Sequence, residues 1–316
     1  AYTGGGYESP NTLKKIGDYW LAQGINLFVF HTSAHQPLDT KPGNTMVGTH
    51  INRNITWADQ AGPFMKYLAR NSFMLQQGKF VADLAYLLDE GAPSTMPLWG
   101  TGLVPAPPEG YDFDYINADV LLNRISVSEA GKLVLTDGMS YSVLVLPNTE
   151  KMTLHVLKKI NELVKAGATV IGQRPQDTPG YSGYPGDNEE FRNLADELWA
   201  DLDGISRTNR IAGKGRVFWG TPVSLVLEKL GVEPDVEYSK PLDSEINWIH
   251  RSTGDADFYF VVNSSVKKLD TEFRFRVAGM EAEIWDPITG LTTPCGYTIT
   301  DKSTVVPLNL DPGKSL

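Results

Sequence analysis

The distribution of apolar residues changes twice along this chain of 316 residues. In residues 1–79 a helical pattern, Leu13 to Gln23, precedes the run Ile25 to Phe30, which is apolar at all but one position. Residues 80–235 alternate apolar runs of strand length with amphipathic helical segments. In residues 236–316 the pattern has a period of two, with turn residues between the runs. These changes predict a mixed α/β chain of three successive segments.

The first segment predicts part of a (β/α) barrel. A helix over Leu13–Gln23, capped by Asn11 or Thr12, leads into a strand over Ile25–Phe30 that would be buried on both faces. A second helix is expected over Pro63–Gln77. Since about one and a half βα units cannot close a barrel of eight strands, we expect the end of a (β/α)8-type barrel.

The second segment predicts a flavodoxin- or amidotransferase-like doubly wound domain. Its strands are expected at Phe80–Leu88, Tyr141–Pro147, Ala168–Gly172 and Arg216–Gly220. Its helices are expected at Tyr115–Arg124, from the cap Thr153 to Ala166, at Glu189–Ala200 and at Val223–Leu230. The third segment predicts antiparallel sandwich strands at Asn247–His250, Ala256–Asn263, Thr271–Val277, Ala282–Asp286 and Ser303–Leu308.

Composition narrows the possible functions. The formal net charge is -10, and the charges are scattered, which argues against a nucleic-acid-binding surface. No stretch of about 18 apolar residues predicts a membrane span. A single cysteine, Cys295, excludes an internal disulfide and a Cys-rich metal site. Because the chain starts in a Gly-rich loop without Met and ends where another strand would be natural, we expect a fragment.

Several catalytic motifs are missing from the sequence. DEGAP stands at residues 89–93, after the first strand of the doubly wound segment, where a nucleotide site would need a glycine-rich phosphate loop. An amidotransferase would need a cysteine at a strand-to-helix turn, whereas Cys295 lies in the β-rich segment. Neither GxSxG nor HExxH occurs. His31 and His35 have a spacing that suits a helical zinc site, but their surroundings indicate a loop.

Polar residues gather where the first predicted strand ends. His31 and His35 follow the strand, and Asn52, Asn54 and Trp57 come after a Pro/Gly-containing loop. The carboxyl ends of strands carry the binding sites of α/β folds. Hydrogen-bonding side chains beside an aromatic ring fit a sugar, so the expected ligand is a carbohydrate. The alternative is structural: His31 would cap the strand, His35 would hold a loop, and Trp57 would belong to the core.

Paired carboxylates would suit glycosidic cleavage, and four acids are candidates. Asp114 is expected to cap the helix that starts at Tyr115, whereas Asp112 has no evident structural task. Asp112 could contact a sugar or a metal, or it could be a solvated loop acid. Glu8 and Asp18 are further candidate acids without positional support.

Several long stretches carry a family resemblance, namely FVFHTSAHQP, HINRNITWADQAGPFMKYL, YDFDYINADVLL, GMSYSVLVLP and IWDPITG. They resemble glycoside hydrolase family 106, the α-L-rhamnosidases, over essentially the whole chain. The resemblance implies a catalytic (β/α)8 barrel followed by a flavodoxin- or amidotransferase-like domain and β-sandwich domains. It also implies hydrolysis of α-L-rhamnosides with inversion, by two Glu, with calcium aiding sugar binding.

The same resemblance places His31, His35, Asn52 and Trp57 near the sugar site. It places neither catalytic Glu in this sequence, since the last of them would fall just before Ala1. The expected parent is a bacterial, periplasmic or secreted enzyme. One alternative is a non-catalytic carbohydrate-binding or scaffold module, whose incomplete barrel edge an oligomer would cover. Another is a different hydrolase that reuses the barrel-end pocket with one of the four candidate acids.

Overall fold

The computed structural model describes residues 8–31, 51–52, 55–91, 96, 102–239 and 244–316. The chain divides into two units. Unit 1 combines residues 1–80 with residues 237–316, and unit 2 is Val81–Val236. The sequence pattern divides the chain near the same two points, but it treats the first and last segments separately, whereas here they belong to one unit.

The described ranges contain the following elements. The helices are α1 (Pro10–Ala22), α2 (Gly62–Leu75), α3 (Ala118–Arg124), α4 (Leu154–Ala166), α5 (Gly186–Trp199) and α6 (Val223–Leu230). The strands of the first half are β1 (Lys79–Phe80), β2 (Leu84–Leu87), β3 (Phe113–Ile116), β4 (Ile125–Val127), β5 (Leu133–Leu135), β6 (Ser140–Tyr141) and β7 (Val143–Val145). They continue with β8 (Thr169–Ile171), β9 (Asn209–Ala212), β10 (Gly215–Phe218), β11 (Val236–Tyr238), β12 (Ile246–Ser252) and β13 (Asp257–Asn263). The last are β14 (Leu269–Phe275), β15 (Glu283–Trp285), β16 (Thr292–Pro294), β17 (Thr298–Ile299) and β18 (Thr304–Leu310).

Unit 1 is built from two helices and antiparallel sheets. Helices α1 and α2 pack on the sheet β1-β12-β13, and Leu21, Leu75, Ile249 and Phe260 form the buried cluster between them. A second sheet has the order β11-β14-β18-β17, and β15 pairs with β16 as a hairpin. The alternating burial along β14 and β18 is typical of strands with one face on a core.

Unit 2 is built around a sheet of order β3-β2-β7-β8-β10-β9. Strands β3, β2, β7, β8 and β10 are parallel to one another, and β9 pairs antiparallel with β10 at the edge. Counted along the chain, the five parallel strands stand in the order 2-1-3-4-5, which is the order of flavodoxin-like sheets. The core on one face joins Leu84, Val145 and Phe218 to Val226 and Leu227 of α6.

Several predicted helices are confirmed. Helix α6 has the predicted bounds, and α4 starts after its predicted cap Thr153, whose side chain accepts from the Val156 amide. Helix α4 ends at Ala166, and its C-cap Gly167 has a φ of 131° that favours glycine. The prediction for the cap of α1 was wrong: Ser9, not Asn11 or Thr12, accepts the N-cap hydrogen bond, so this helix starts earlier.

The predicted buried strand over Ile25–Phe30 is not found. The segment has no regular secondary structure, and none of the described residues pairs with it as a strand. Phe28 packs against the clusters of α1 and α2, whereas Leu27 and Val29 are 64% and 88% exposed. A strand buried on both faces needs a neighbour on each side and cover on each face, and the described residues cover only the Phe28 side.

The predicted role of Asp114 as a helix cap was also wrong. Asp114 lies within β3, and α3 starts at Ala118, where Asn117 Oδ1 accepts from the Val120 amide at 2.9 Å. The aromatic and β-branched composition of this run favours a strand over a helix. Asp112 therefore lies at the amino end of β3, away from the carboxyl edge at which we expected a ligand-binding loop.

Candidate functional site

The predicted sugar-binding residues lie in unit 1, as far as they are described. His31 is exposed at the end of a described range, and Asn52 is half-buried. His35 and Asn54 lie outside the described residues. Phe28, three residues before His31, packs against the same hydrophobic cluster as Trp57. The segment that carries His31 and the segment that carries Trp57 are therefore held on a common core.

Trp57 is joined to Glu8, another of the candidate residues. The Trp57 indole Nε1 donates to the Glu8 carbonyl oxygen at 3.0 Å, and its ring meets the edge of Phe64 with centroids 6.1 Å apart. Trp57 is only 8% exposed, so in this structure its ring is part of the core and does not present an open stacking surface. A contact between residues 49 positions apart has no periodic signal, and the sequence could not predict it.

Glu8 has an environment that is unusual for an acid. Its side chain is buried, and its Oε2 has no hydrogen-bond partner among the described residues. Buried carboxylates normally have partners, because desolvation of the charge is costly. Together with Trp57, Glu8 is the candidate acid that the structure brings to the predicted sugar-binding residues.

Asp18 is occupied by a structural network. Lys14 Nζ lies 2.5 Å from Asp18 Oδ2, and it also donates to the Gly313 carbonyl at 2.8 Å and to Ser315 Oγ at 3.0 Å. The Tyr67 hydroxyl donates to Asp18 Oδ1 and lies 2.8 Å from Ser315 Oγ. Burial raises the pKa of Asp18, and Lys14 opposes this shift. Because Asp18 is fully buried and both its oxygens are engaged, it ties α1 to α2 and to residues 313–315.

Asp112 and Asp114 belong to unit 2 and not to the unit of His31 and Trp57. Asp114 accepts from the Tyr115 amide and from the Tyr141 hydroxyl, each at 2.8 Å. Asp112 accepts from the Phe113 amide at 2.8 Å. Burial, opposed by this hydrogen bond and reinforced by neighbouring acids, raises the pKa of Asp112 to about 8. Both acids of unit 2 are therefore hydrogen-bonded locally, Asp112 to the backbone beside it and Asp114 to the backbone and to Tyr141.

No group of three or more His, Cys, Asp or Glu side chains in the described ranges has the arrangement of a metal site. Calcium prefers six to eight oxygen ligands, several of them carboxylates. The described residues thus contain no carboxylate-rich cluster of this kind. In the same ranges, no helix has both the length and the apolar composition needed to cross a membrane.

Unit 1 also contains a groove of about 800 Å³ that sequence reasoning missed. Its lining includes aromatic side chains of α2, β13, β14 and β15, among them Phe73, Tyr259, Phe275 and Trp285. Trp285 is 48% exposed, and its Nε1 donates to Glu283 Oε2 at 3.1 Å. The sequence predicts β13 only as a sandwich strand, and its aromatic residues together with Trp285 on β15 are the signal that could have indicated a groove.

Cys295 lines this groove but is not an activated nucleophile. Its Sγ lies 3.4 Å from the Ala282 carbonyl oxygen, and burial together with the charge of Glu283 raises the pKa of the thiol. A catalytic cysteine needs a lowered pKa. Nearby, His250 Nε2 lies 2.9 Å from Asp257 Oδ1, and this hydrogen bond lowers the pKa of the Asp257 carboxyl. The cysteine of the groove is thus not set up for nucleophilic attack.

Comparisons with known proteins agree with the resemblance seen in the sequence. The sequence model of glycoside hydrolase family 106, alpha-L-rhamnosidase, matches residues 1–299. The rhamnosidase structure from Novosphingobium sp. PP1Y is 33% identical with a TM-score of 0.87, over 98% of this chain and 29% of that enzyme. A Formosa agariphila protein named provisionally as a beta-glucuronidase is 37% identical over 97% of this chain and 25% of that protein.

More distant structures share the fold. A GH42 beta-galactosidase from G. stearothermophilus has a TM-score of 0.54 at 12% identity, covering 96% of this chain and 51% of the enzyme. The chain spans between a quarter and a third of the two related proteins described above. Because the family match covers nearly the whole chain, the resemblance inferred from the sequence is confirmed, and the chain belongs to glycoside hydrolase family 106, the family described as alpha-L-rhamnosidase.

Proposed function

We propose that this chain is part of a longer, inverting α-L-rhamnosidase that acts on rhamnose-containing glycans. The observation that carries the proposal is the family match over residues 1–299, together with the likeness to a rhamnosidase structure at a TM-score of 0.87. Since the chain covers 29% of that enzyme, the acid and base Glu residues are proposed to lie outside this sequence. In an inverting mechanism, one carboxyl group protonates the leaving oxygen while the other activates a water.

The role proposed for this chain is to build one wall of the sugar pocket. His31, His35, Asn52 and Asn54 would exchange hydrogen bonds with sugar hydroxyls, and Trp57 would shape the wall from the core side. The shared core under His31 and Trp57 supports this arrangement. In the wider layout we propose that unit 1 carries the end of the (β/α)8-type barrel and that unit 2 is the flavodoxin- or amidotransferase-like domain.

The test is hydrolysis of an aryl α-L-rhamnoside by the longer protein that carries this chain, with an aryl β-D-glucuronide in parallel. We expect turnover of the rhamnoside, and we expect His31→Ala to lower kcat/KM about 10- to 100-fold, the loss of one or two sugar hydrogen bonds. His155→Ala is the matched control, because His155 is exposed on α4 of unit 2. Equal activity of His31→Ala and the unaltered protein would place the pocket elsewhere, and preferential turnover of the glucuronide would overturn the substrate.

Calcium is a separate proposal, for a site built with residues outside those described. The rhamnosidase assay is repeated with a chelator and after calcium is restored. If calcium aids sugar binding, chelation raises KM reversibly, with little change in kcat. A KM that chelation leaves unchanged removes calcium from the proposal.

A second candidate function is a non-catalytic carbohydrate-binding module, and the groove of unit 1 favours it. A volume of about 800 Å³ lies within the usual range of ligand pockets, and Trp285 offers an exposed ring for a sugar face. Calorimetry with a rhamnose-containing oligosaccharide tests it: Trp285→Ala should weaken binding at least about tenfold, while Tyr181→Ala, an exposed tyrosine of unit 2, should not. Light scattering adds the expectation of an oligomer, and a clean monomer without sugar binding contradicts this function.

A further inference from the structure

The carboxyl edge of the sheet in unit 2 is the place where a doubly wound fold binds ligands. Strand order reverses between β2 and β7, because β3 follows β2 on one side and β7 lies on the other. Ligands of such sheets occupy the crevice at this reversal point. Helix α4 follows β7, so its first turn opens at this edge with amide groups that have no partner within the helix. Such helix starts attract phosphate and carboxylate groups.

In this protein a carboxylate of the chain itself holds that position. Thr153, the N-cap of α4, donates its amide to Glu90 Oε2 at 2.9 Å and its hydroxyl to Glu90 Oε1 at 2.7 Å. The same hydroxyl oxygen accepts from the Val156 amide at 3.4 Å. Glu90 comes three residues after the end of β2 and is half-buried. The Glu90 side chain therefore bridges the reversal point, from the loop after β2 to the start of α4, the helix that follows β7.

The receiving end of this contact is held independently of Glu90. The Gln176 amide donates to the Glu150 carbonyl at 2.7 Å, and the Met152 amide donates to the Asp177 carbonyl at 3.1 Å. These bonds fix the loop that leads into α4 to the loop that follows β8. Loss of the Glu90 side chain should therefore leave the N-terminus of α4, with its amide donors, in place.

As far as the structure describes them, the other helices of unit 2 do not start with a carboxylate contact of this kind. Helix α3 is capped locally, by Asn117 three residues before the amide that it accepts. In α5 and α6, which start after prolines, no side-chain cap is found among the described residues. Among the helix starts of unit 2, and within the described ranges, a carboxylate from a distant part of the chain, 63 residues away, is found at the reversal point alone.

We propose that Glu90 is a built-in anion that occupies the ligand edge of unit 2 and closes it to an external carboxylate or phosphate. The absence of a phosphate-binding glycine loop at residues 89–93 and the presence of Glu90 there then have one explanation. Residues 89–93, where a phosphate-binding loop would stand, supply the Glu90 carboxylate in place of an external anion. Unit 2 accordingly acts as a structural domain whose edge is sealed from within.

The test uses Glu90→Ala and Glu90→Gln in the full chain, with formate, acetate and inorganic phosphate as probes and chloride at equal ionic strength as the reference. We expect Glu90→Ala to lower Tm by about 2–6 °C, and formate or acetate to recover part of this loss. The Tm of Glu90→Gln should lie between those of the unaltered chain and Glu90→Ala, because the Gln amide oxygen can accept one of the two hydrogen bonds. Glu150→Ala is the matched control, an exposed acid at the same edge.

Backbone NMR supplies a readout that does not depend on stability. In Glu90→Ala the amide signals of Thr153 and Val156 should shift on addition of formate and saturate, whereas in the unaltered chain they should not move. Saturable shifts in the unaltered chain would show an open anion site and overturn the proposal. So would a folded Glu90→Ala variant that gains neither stability nor amide shifts from any of the three anions. If Glu90→Ala does not fold, the same comparison is made with Glu90→Ser, whose short side chain also leaves the edge open, and the Thr153 and Val156 amide signals of that variant must respond to the anions for the proposal to stand.

Discussion

Replacement of Asp112 by Asn tests whether a buried carboxyl makes the stability of unit 2 depend on pH. The pKa of Asp112 rises from an ordinary value of 3.8 to about 8, chiefly through burial, with the charges of Asp235, Asp114 and Asp83 adding to it. The folded state therefore holds a proton that the unfolded state releases above about pH 4. Stability is full below that pH and is lost as the pH rises toward about 8.

The magnitude follows from the size of the shift. A displacement of about four pH units at about 1.4 kcal/mol per unit gives an upper bound near 6 kcal/mol. Asp112 is half-buried, so solvent screening reduces this upper bound. We expect the free energies of unfolding of the two proteins to differ by about 1–3 kcal/mol at pH 8. Asn keeps the oxygen that accepts from the Phe113 amide at 2.8 Å but carries no charge at any pH.

The assay is urea unfolding of the unaltered chain and of Asp112→Asn between pH 4 and pH 9. The two free energies of unfolding should agree near pH 4 and separate progressively above it, with the Asn variant more stable at pH 8. Glu129→Gln, the same chemical exchange at an exposed position, is the control and should show no pH-dependent difference. A constant difference at every pH, or a less stable Asn variant at pH 8, would refute the proposed origin of the shift.

Three further predictions, made with four substitutions, concern unit 1 and the packing of loops. Tyr67→Phe removes the hydroxyl that donates to buried Asp18, so the free energy of unfolding should fall by about 1–3 kcal/mol in urea titration. Gly220→Ala should lower the free energy of unfolding by well over 1 kcal/mol, because the φ of Gly220 is 77° and a Cβ there would collide with a backbone carbonyl. Gly254→Ala has open space around it and should cost only about 1 kcal/mol. Thermal unfolding compares the two variants. Val29→Ser should change stability by less than about 0.5 kcal/mol, and a loss of 2 kcal/mol or more would mean that Val29 is buried after all.

Local signals in the sequence predicted those elements whose ends are set by adjacent residues. Helix α4 has a Thr153 cap, one apolar face and a terminal Gly167, and helix α6 likewise has its predicted bounds. Short strands escaped prediction, as in the antiparallel sheet β4-β5-β6, because two or three residues carry too little periodicity. The run at Ile25–Phe30 failed for the opposite reason: its composition is that of a buried strand, but burial depends on neighbours that the run itself does not specify.

The same distinction explains what sequence could and could not say about the site. Motif runs identified the family, because residue types at fixed spacing can be recognised without knowledge of their contacts. They did not reveal that Trp57 donates a hydrogen bond to Glu8 or that Glu90 accepts hydrogen bonds from a helix cap 63 residues away, since both contacts join distant parts of the chain. The family assignment therefore rests on local sequence, whereas the role of each acid depends on tertiary contacts. Asp18, Asp112 and Glu90 all carry a carboxyl group, yet their roles differ. Asp18 ties two helices together, Asp112 holds a proton near neutral pH, and Glu90 seals a ligand edge.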